Sequence, residues 1–410
     1  MTSRLAEPKS ESPFPRDIDS VVADLRCNIA AAIEVICGGS SRAQDVTDNF
    51  AVHRKLGWQL WNVAFADDPL AAVKFLPNAR GLDVWTKSAR LRGVSAELLD
   101  RIHESVSQFH RLIATHAEDR EMLEMLVEAR DDGRARDEET DARWRKQAFI
   151  GNSYIFGVRA KRLLSTMVMA PSSRTPWFDM VRIQGLIGLV RTRSNVRWPF
   201  AQSVVQTDDG VRRAPQRQAL LDTPAVRDIG VPLMEKFCSQ PLPPVRRRSG
   251  EQGMLEDELL PGPVGQTGAS TLITGEILRE VAPAHQTTPG ETALFGTGVR
   301  TPGELLISDH IVHRDLFPGA VRELRVFGEL ISPTTQDERD LLPVGDRLQH
   351  LGRGIDRVRT ADIPDYGEML DTVFSITGWN AKDFEVYRVR MRYPPIPASV
   401  MLRHALPPAP

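Results

Sequence analysis

The chain has 410 residues, 41% hydrophobic and 26% charged, with a formal net charge of −2, which excludes wholesale disorder and predicts a globular protein of two or three domains. No apolar run approaches the roughly 18–20 residues of a membrane span, and the polar opening MTSRLAEPKSESPFPRD lacks the apolar stretch of a secretory signal. Cys27, Cys37 and Cys238 are too few and too scattered for a disulfide framework or a zinc cluster, so a reducing, cytoplasmic setting with no membrane partner is expected.

Residues 1–16 are polar and carry Pro8, Pro13 and Pro15, which reads as a disordered tail. From Ile18, apolar residues recur at three- and four-residue steps through Val22, Leu25, Ile29 and Ile33, predicting a helix that Gly38 and Gly39 stop. Ser41 and Gln44 fit a capping box for a short helix reaching about Phe50. Ala51-Val52-His53 then reads as a tight turn before a helix from Arg54 to about Phe65. Ser95 with Glu97 opens a long helix carrying Leu98, Leu99, Ile102, Phe109 and Ile113. It is expected to continue through Leu126, and it could serve as a dimerisation helix. Residues 17–129 thus read as an all-helical domain.

Residues 130–144 are charged and non-periodic, and read as a linker. Residues 145–238 form a basic α/β region, with a helix over 145–169 and a strand around Gly185 and Gly188. Proline and glycine make 239–270 a linker. Residues 271–410 read as a β-rich domain with strands near 271–277, 304–307, 321–331 and 384–393, and with a proline-rich tail as an extended arm. In the last strand Tyr387, Val389 and Met391 share one face and Arg388, Arg390 and Arg392 the other. The expected class is α+β: a helical N-terminal domain, then a mixed α/β to mainly β C-terminal region.

Residues 43–60, AQDVTDNFAVHRKLGWQL, carry a functional signal. Val46 and Phe50 anchor a first helix, and the small Thr47 stands where a second helix would approach. Ala51 occupies the turn, Val52 plugs the core, and Leu56 and Leu60 give the second helix a buried side. This pattern resembles the helix-turn-helix of DNA-binding transcriptional regulators. The resemblance implies that His53, Arg54, Lys55 and Gln59 face phosphates and base edges, with Gln44 near the DNA backbone. Ala51 stands where glycine is usual, and Trp58 lies inside the second helix, so a plain helical hairpin remains the alternative.

Charge is unevenly distributed: residues 143–248 hold 19 basic and 6 acidic side chains, while 118–142 hold 4 basic and 11 acidic. Arg182, Arg191, Arg193 and Arg197 lie beside Trp177, Trp198 and Phe200, a mixture suited to weak anion or nucleic-acid contact. Pairing with the acidic C-terminal part is the competing expectation. Residues 309–315, DHIVHRD, offer Asp309, His310, His313 and Asp315 to a metal, but on a strand His310 and His313 face opposite sides. His313-Arg314-Asp315-Leu316 is similar to a protein-kinase catalytic loop, yet Ala320 replaces its metal-binding asparagine. No cofactor motif, catalytic set or metal site emerges. The expected function is an intracellular DNA-binding regulator whose C-terminal region senses a ligand or oligomerises, with duplex DNA and further copies of the chain as partners. The alternatives are a structural or assembly protein, and thirdly a metal-dependent enzyme centred on 309–315.

Overall fold

A computed structural model describes residues 13–39, 42–130, 137–174, 176–203, 205–206, 212–213, 218–249, 255–331 and 336–409. The chain divides into two compact units, residues 1–134 and 135–410. Helices build the first unit and mainly sheet builds the second, so the class is α+β.

The first unit contains α1 (Phe14–Cys37), α2 (Ala43–Asn49), α3 (Arg54–Phe65), a 3-10 turn (Leu70–Phe75), α4 (Ala79–Leu91), α5 (Ala96–His116) and α6 (Arg120–Glu128). The apolar stripe of α1 packs along α5, where Leu99, Ile102 and Phe109 are buried. Each such side chain contributes about 1.5–3 kcal/mol. A hydrogen bond of 2.7 Å from Asn28 Nδ2 to Ser105 Oγ crosses this helix pair.

Two expectations change here. Helix α1 begins at Phe14, inside the segment read as a tail, because Phe14 is buried and packs edge-on against His116. The long helix from Ser95 ends at His116: Ala117 is extended, and the Asp119 carboxylate caps α6 by accepting from the Met122 N–H at 2.8 Å. The periodicity runs through this break because α5 and α6 bury apolar residues in the same core.

The second unit opens with α7 (Glu138–Phe156), β1 (Val158–Arg159), β2 (Arg162–Pro171), β3 (Trp177–Arg191), β4 (Trp198–Ser203), β5 (Val205–Gln206), β6 (Arg212–Arg213), β7 (Gln218–Ala219) and α8 (Pro224–Ile229). It continues with β8 (Val245–Ser249), β9 (Leu255–Leu259), β10 (Ser270–Pro283), β11 (Thr292–Val299), β12 (Leu305–His313), β13 (Glu323–Phe327), β14 (Leu348–Arg353), α9 (Tyr366–Thr377), β15 (Phe384–Arg392) and β16 (Ala398–Ala405). The main sheet runs β14-β15-β12-β2-β3-β10-β7, with β1 beside β3. Its β12–β2 pair is parallel and the other pairs are antiparallel. Smaller sheets are β11-β16-β13, β4-β9-β8 and β5-β6.

The helix expected over 145–169 stops at Phe156, where Gly157 takes φ +76° as its cap. Residues 163–170 are instead strand, buried on both faces. An apolar run of that kind looks the same in a buried helix and a buried strand. The regions 145–238 and 271–410 share one sheet, since β10 pairs with β3 and β12 with β2. Within 239–270, read as a linker, lie β8 and β9. The tail read as an extended arm supplies β16, the central strand of its sheet. Part of the charged segment 130–144 lies outside the described residues; its end, from Glu138, is the start of α7, capped by Asp137.

Register sets the two faces of the main sheet. One carries a row Leu306-Leu163-Leu186-Leu272 and beside it a row Ser308-Ser165-Gln184-Thr274. The other carries Arg388, Asp309 and Thr166 side by side, with Tyr366 of α9 hydrogen-bonded to the last two.

Candidate functional site

The α2–turn–α3 unit is held by three local features. Val46, Phe50, Val52 and Leu60 are buried in the first unit's core. Ala51 adopts φ +50°, the left-handed turn conformation for which glycine is preferred, and the turn closes through Val52 N–H to Thr47 O at 3.1 Å. Gly57 of α3 sits on Thr47 of α2: a Cβ there would lie 2.9 Å from both the Thr47 Cα and its backbone nitrogen. Glycine therefore sets the spacing of the two helices. The cap differs from expectation. Arg42 is the N-cap residue and its N–H donates to the Asp45 carboxylate at 2.7 Å. Gln44 donates instead to Asp48 Oδ1 at 2.8 Å, and Ser41 lies outside the described residues. A carboxylate at the third helical position is the stronger acceptor for that N–H and also suits the helix dipole.

The start of α3 presents His53, Arg54 and Lys55 to solvent, with Gln59 half-buried one turn on and Gln44 exposed on α2. His53 caps α3, its Nδ1 accepting from the Lys55 N–H at 3.2 Å. Trp58 is 47% exposed and rests edge-on against Phe75, with ring centroids 5.2 Å apart. His53, Lys55 and Gln59 border an open groove of about 440 Å³, whose other side includes Lys74, Arg120 and Glu124. Arg120 ties the groove wall together, donating to Val73 O at 2.8 Å and to Leu76 O at 2.5 Å. Lys74 and Arg120 were not legible as site residues, because a 3-10 turn and a separate helix bring them here without a local motif.

The four arginines of the basic region are each engaged within the chain. Arg182 Nε donates to Glu276 Oε1 at 2.7 Å, and Arg193 Nη2 to Ile155 O at 2.8 Å. Arg197 lies 3.5 Å from Glu258. Arg191 is buried and donates to Leu260 O at 2.5 Å; burial lowers its pKa. Arg247 makes a bidentate pair with Asp257 at 2.6 and 2.8 Å, and Arg246 pairs with Glu258.

Around 309–315 the strand separates the candidate ligands. Asp309 is buried and accepts from Arg388 Nε and Nη2 at 2.8 and 2.7 Å and from the Tyr366 hydroxyl at 2.7 Å. Burial among these partners raises the Tyr366 pKa, because a phenolate there would lose its hydration and face the Asp309 charge. His310 faces the opposite side, beside Tyr387 on β15. Desolvation lowers its pKa to about 3, aided by the Arg322 charge and His404. His404 is likewise pushed down to about 4, by desolvation and then Arg322. Further along, His313 Nδ1 accepts from the Asp315 N–H at 3.3 Å. Among the described residues no three histidine, cysteine or acidic side chains gather as a metal site. Cys238 is buried, and desolvation raises its thiol pKa to about 11.

No helix among the described residues is long and apolar enough to cross a membrane. No family model and no curated protein matches the chain. Among solved structures it is similar to one from Parabacteroides distasonis named a "putative protease", at 8% identity and a TM-score of 0.24. The similarity covers 62% of this chain and 41% of that one, so this chain spans less than half of that protein's length.

Proposed function

We propose that the chain is a cytoplasmic DNA-binding regulator whose first unit meets duplex DNA through the α2–turn–α3 surface. The observation that carries this reading is the coincidence of a left-handed turn at Ala51, a Gly57–Thr47 close approach, and cationic residues exposed at the start of α3. A helix-turn-helix needs this combination, because its second helix must be braced by the first while its N-terminal residues reach into the major groove. Arg54 and Lys55 would contact phosphate, His53 and Gln59 base edges, and Gln44 the adjacent backbone. Lys74 would extend the cationic surface beside α3, while Arg120 is paired with Glu124 at 3.3 Å. Reading paired half-sites about 34–36 Å apart would require a second copy of the chain, and duplexes selected by the protein would then be inverted repeats.

The test is duplex binding by fluorescence anisotropy across a salt series, using duplexes selected from a random pool. The Arg54→Ala/Lys55→Ala variant should bind more weakly on every sequence, and its log–log salt slope should fall by about 2 if both contact phosphate. Binding and slope unchanged from the wild type would reject this surface, as would no duplex binding at low salt.

A further inference from the structure

The second unit holds a pocket of about 400 Å³ on the Ser165-bearing face of its main sheet. Leu163, Leu186, Leu272 and Leu306 form an apolar floor. Walls come from β4, through Trp198 and Phe200, and from β11 and the residues just after it, through Val299 and Thr301. Trp198 is fixed in place: its Nε1–H donates to Thr301 Oγ1 at 2.9 Å, and its ring meets Phe156 edge-on at 5.9 Å. The volume lies in the range of small-molecule sites, about 300–1,000 Å³, and well above the roughly 150 Å³ of an engineered apolar cavity that binds benzene.

A second observation points to a ligand. Ser165, one of the residues lining this pocket, is 2% exposed, and its buried Oγ finds no hydrogen-bond partner among the described residues. A buried hydroxyl left unpaired costs about 1–3 kcal/mol. Its neighbours across the sheet are Gln184 and Ser308, with Thr274 beyond Gln184, so a short polar strip runs beside the leucine floor. Arg300 is the charged lining residue, and it is paired with Glu329 at 3.2 Å, whose other oxygen accepts from Ser399 at 2.6 Å. Among the described residues, the pocket therefore offers no uncompensated charge to an anion.

We infer that this pocket binds an uncharged, mainly apolar small molecule carrying a hydroxyl or carbonyl group, which hydrogen-bonds Ser165 beside Gln184 while its ring or hydrocarbon body lies on the leucines against Trp198. The inference concerns binding by the second unit and holds whether or not the first unit meets DNA.

Prodan, a neutral naphthyl ketone whose emission shifts to the blue in apolar surroundings, tests it on the full chain. The wild type should bind it saturably, and anilinonaphthalene sulfonate, its anionic counterpart, more weakly. Ser165→Ala should weaken prodan binding about tenfold while leaving the melting temperature equal or higher, since an unpaired hydroxyl is removed. Leu306→Trp should abolish binding by filling the floor; if that variant fails to fold, Ser165→Ala decides alone. Non-saturable prodan binding, wild-type affinity in Ser165→Ala, or tighter binding of the anionic dye would each overturn the inference.

Discussion

At position 51 the backbone demands what the side chain resists. Ala51 sits at φ +50°, where an L-residue with a Cβ is disfavoured. Ala51→Gly should therefore stabilise the first unit by about 0.5–1 kcal/mol, the relief of strain exceeding the added entropy of the unfolded glycine. Urea unfolding monitored by helical circular dichroism measures it, and a lower midpoint would show that the turn carries no such strain. Gly57 shows the converse, a residue with poor helix propensity kept where a Cβ has no room. Ala51 was visible in the sequence as the turn of a motif, whereas Gly57 read there only as a residue of low helix propensity. Asp309 was visible only as a carboxylate near histidines. Its bidentate partner Arg388 lies far along the chain, and no local pattern announces that pairing.

Among the elements, β12 shows how a strand sorts its chemistry. Asp309 goes to the α9 side, where Arg388 and Tyr366 compensate it, and His310 to the other, with His404 of β16 and Arg322 nearby. Both histidines are held neutral, with pKa values near 3 and 4 against an ordinary 6.5. The unfolded chain takes up protons below about pH 6.5 while the folded chain does not. Their contribution to stability is thus complete above that pH and lost as the pH falls toward 4 and then 3. Each neutral histidine adds a slope of about 1.4 kcal/mol per pH unit in that window. Urea midpoints between pH 7 and 5 should fall with pH, and His404→Phe should lessen the slope; an unchanged slope would show that His404 is protonated in the fold. The α7–β2 boundary illustrates why element type escaped the sequence here: Gly157 marks the stop, but the apolar run beyond it carries no period that distinguishes helix from strand.

For the whole molecule, the first unit has a helical apolar core of its own, and the second has a large core on the main sheet with a smaller cluster around Phe178 and Phe317. Expressed separately, residues 1–134 and 135–410 should each unfold cooperatively, and their circular dichroism spectra should sum to that of the full chain. A fragment lacking a cooperative transition would show that its core is incomplete. By itself the sequence determined the helical first unit, its turn chemistry and the strand-rich end, because helix periodicity, caps and two-residue alternation are written within a few neighbouring residues. Only the tertiary structure decided that 145–238 and 271–410 make one sheet, that Arg182, Arg191, Arg193 and Arg197 are engaged inside the chain, and that Ser165 lines a pocket floored by leucines from several strands. Those outcomes depend on which distant strands pair and in what register, and a one-residue slip would exchange every side chain between the two faces.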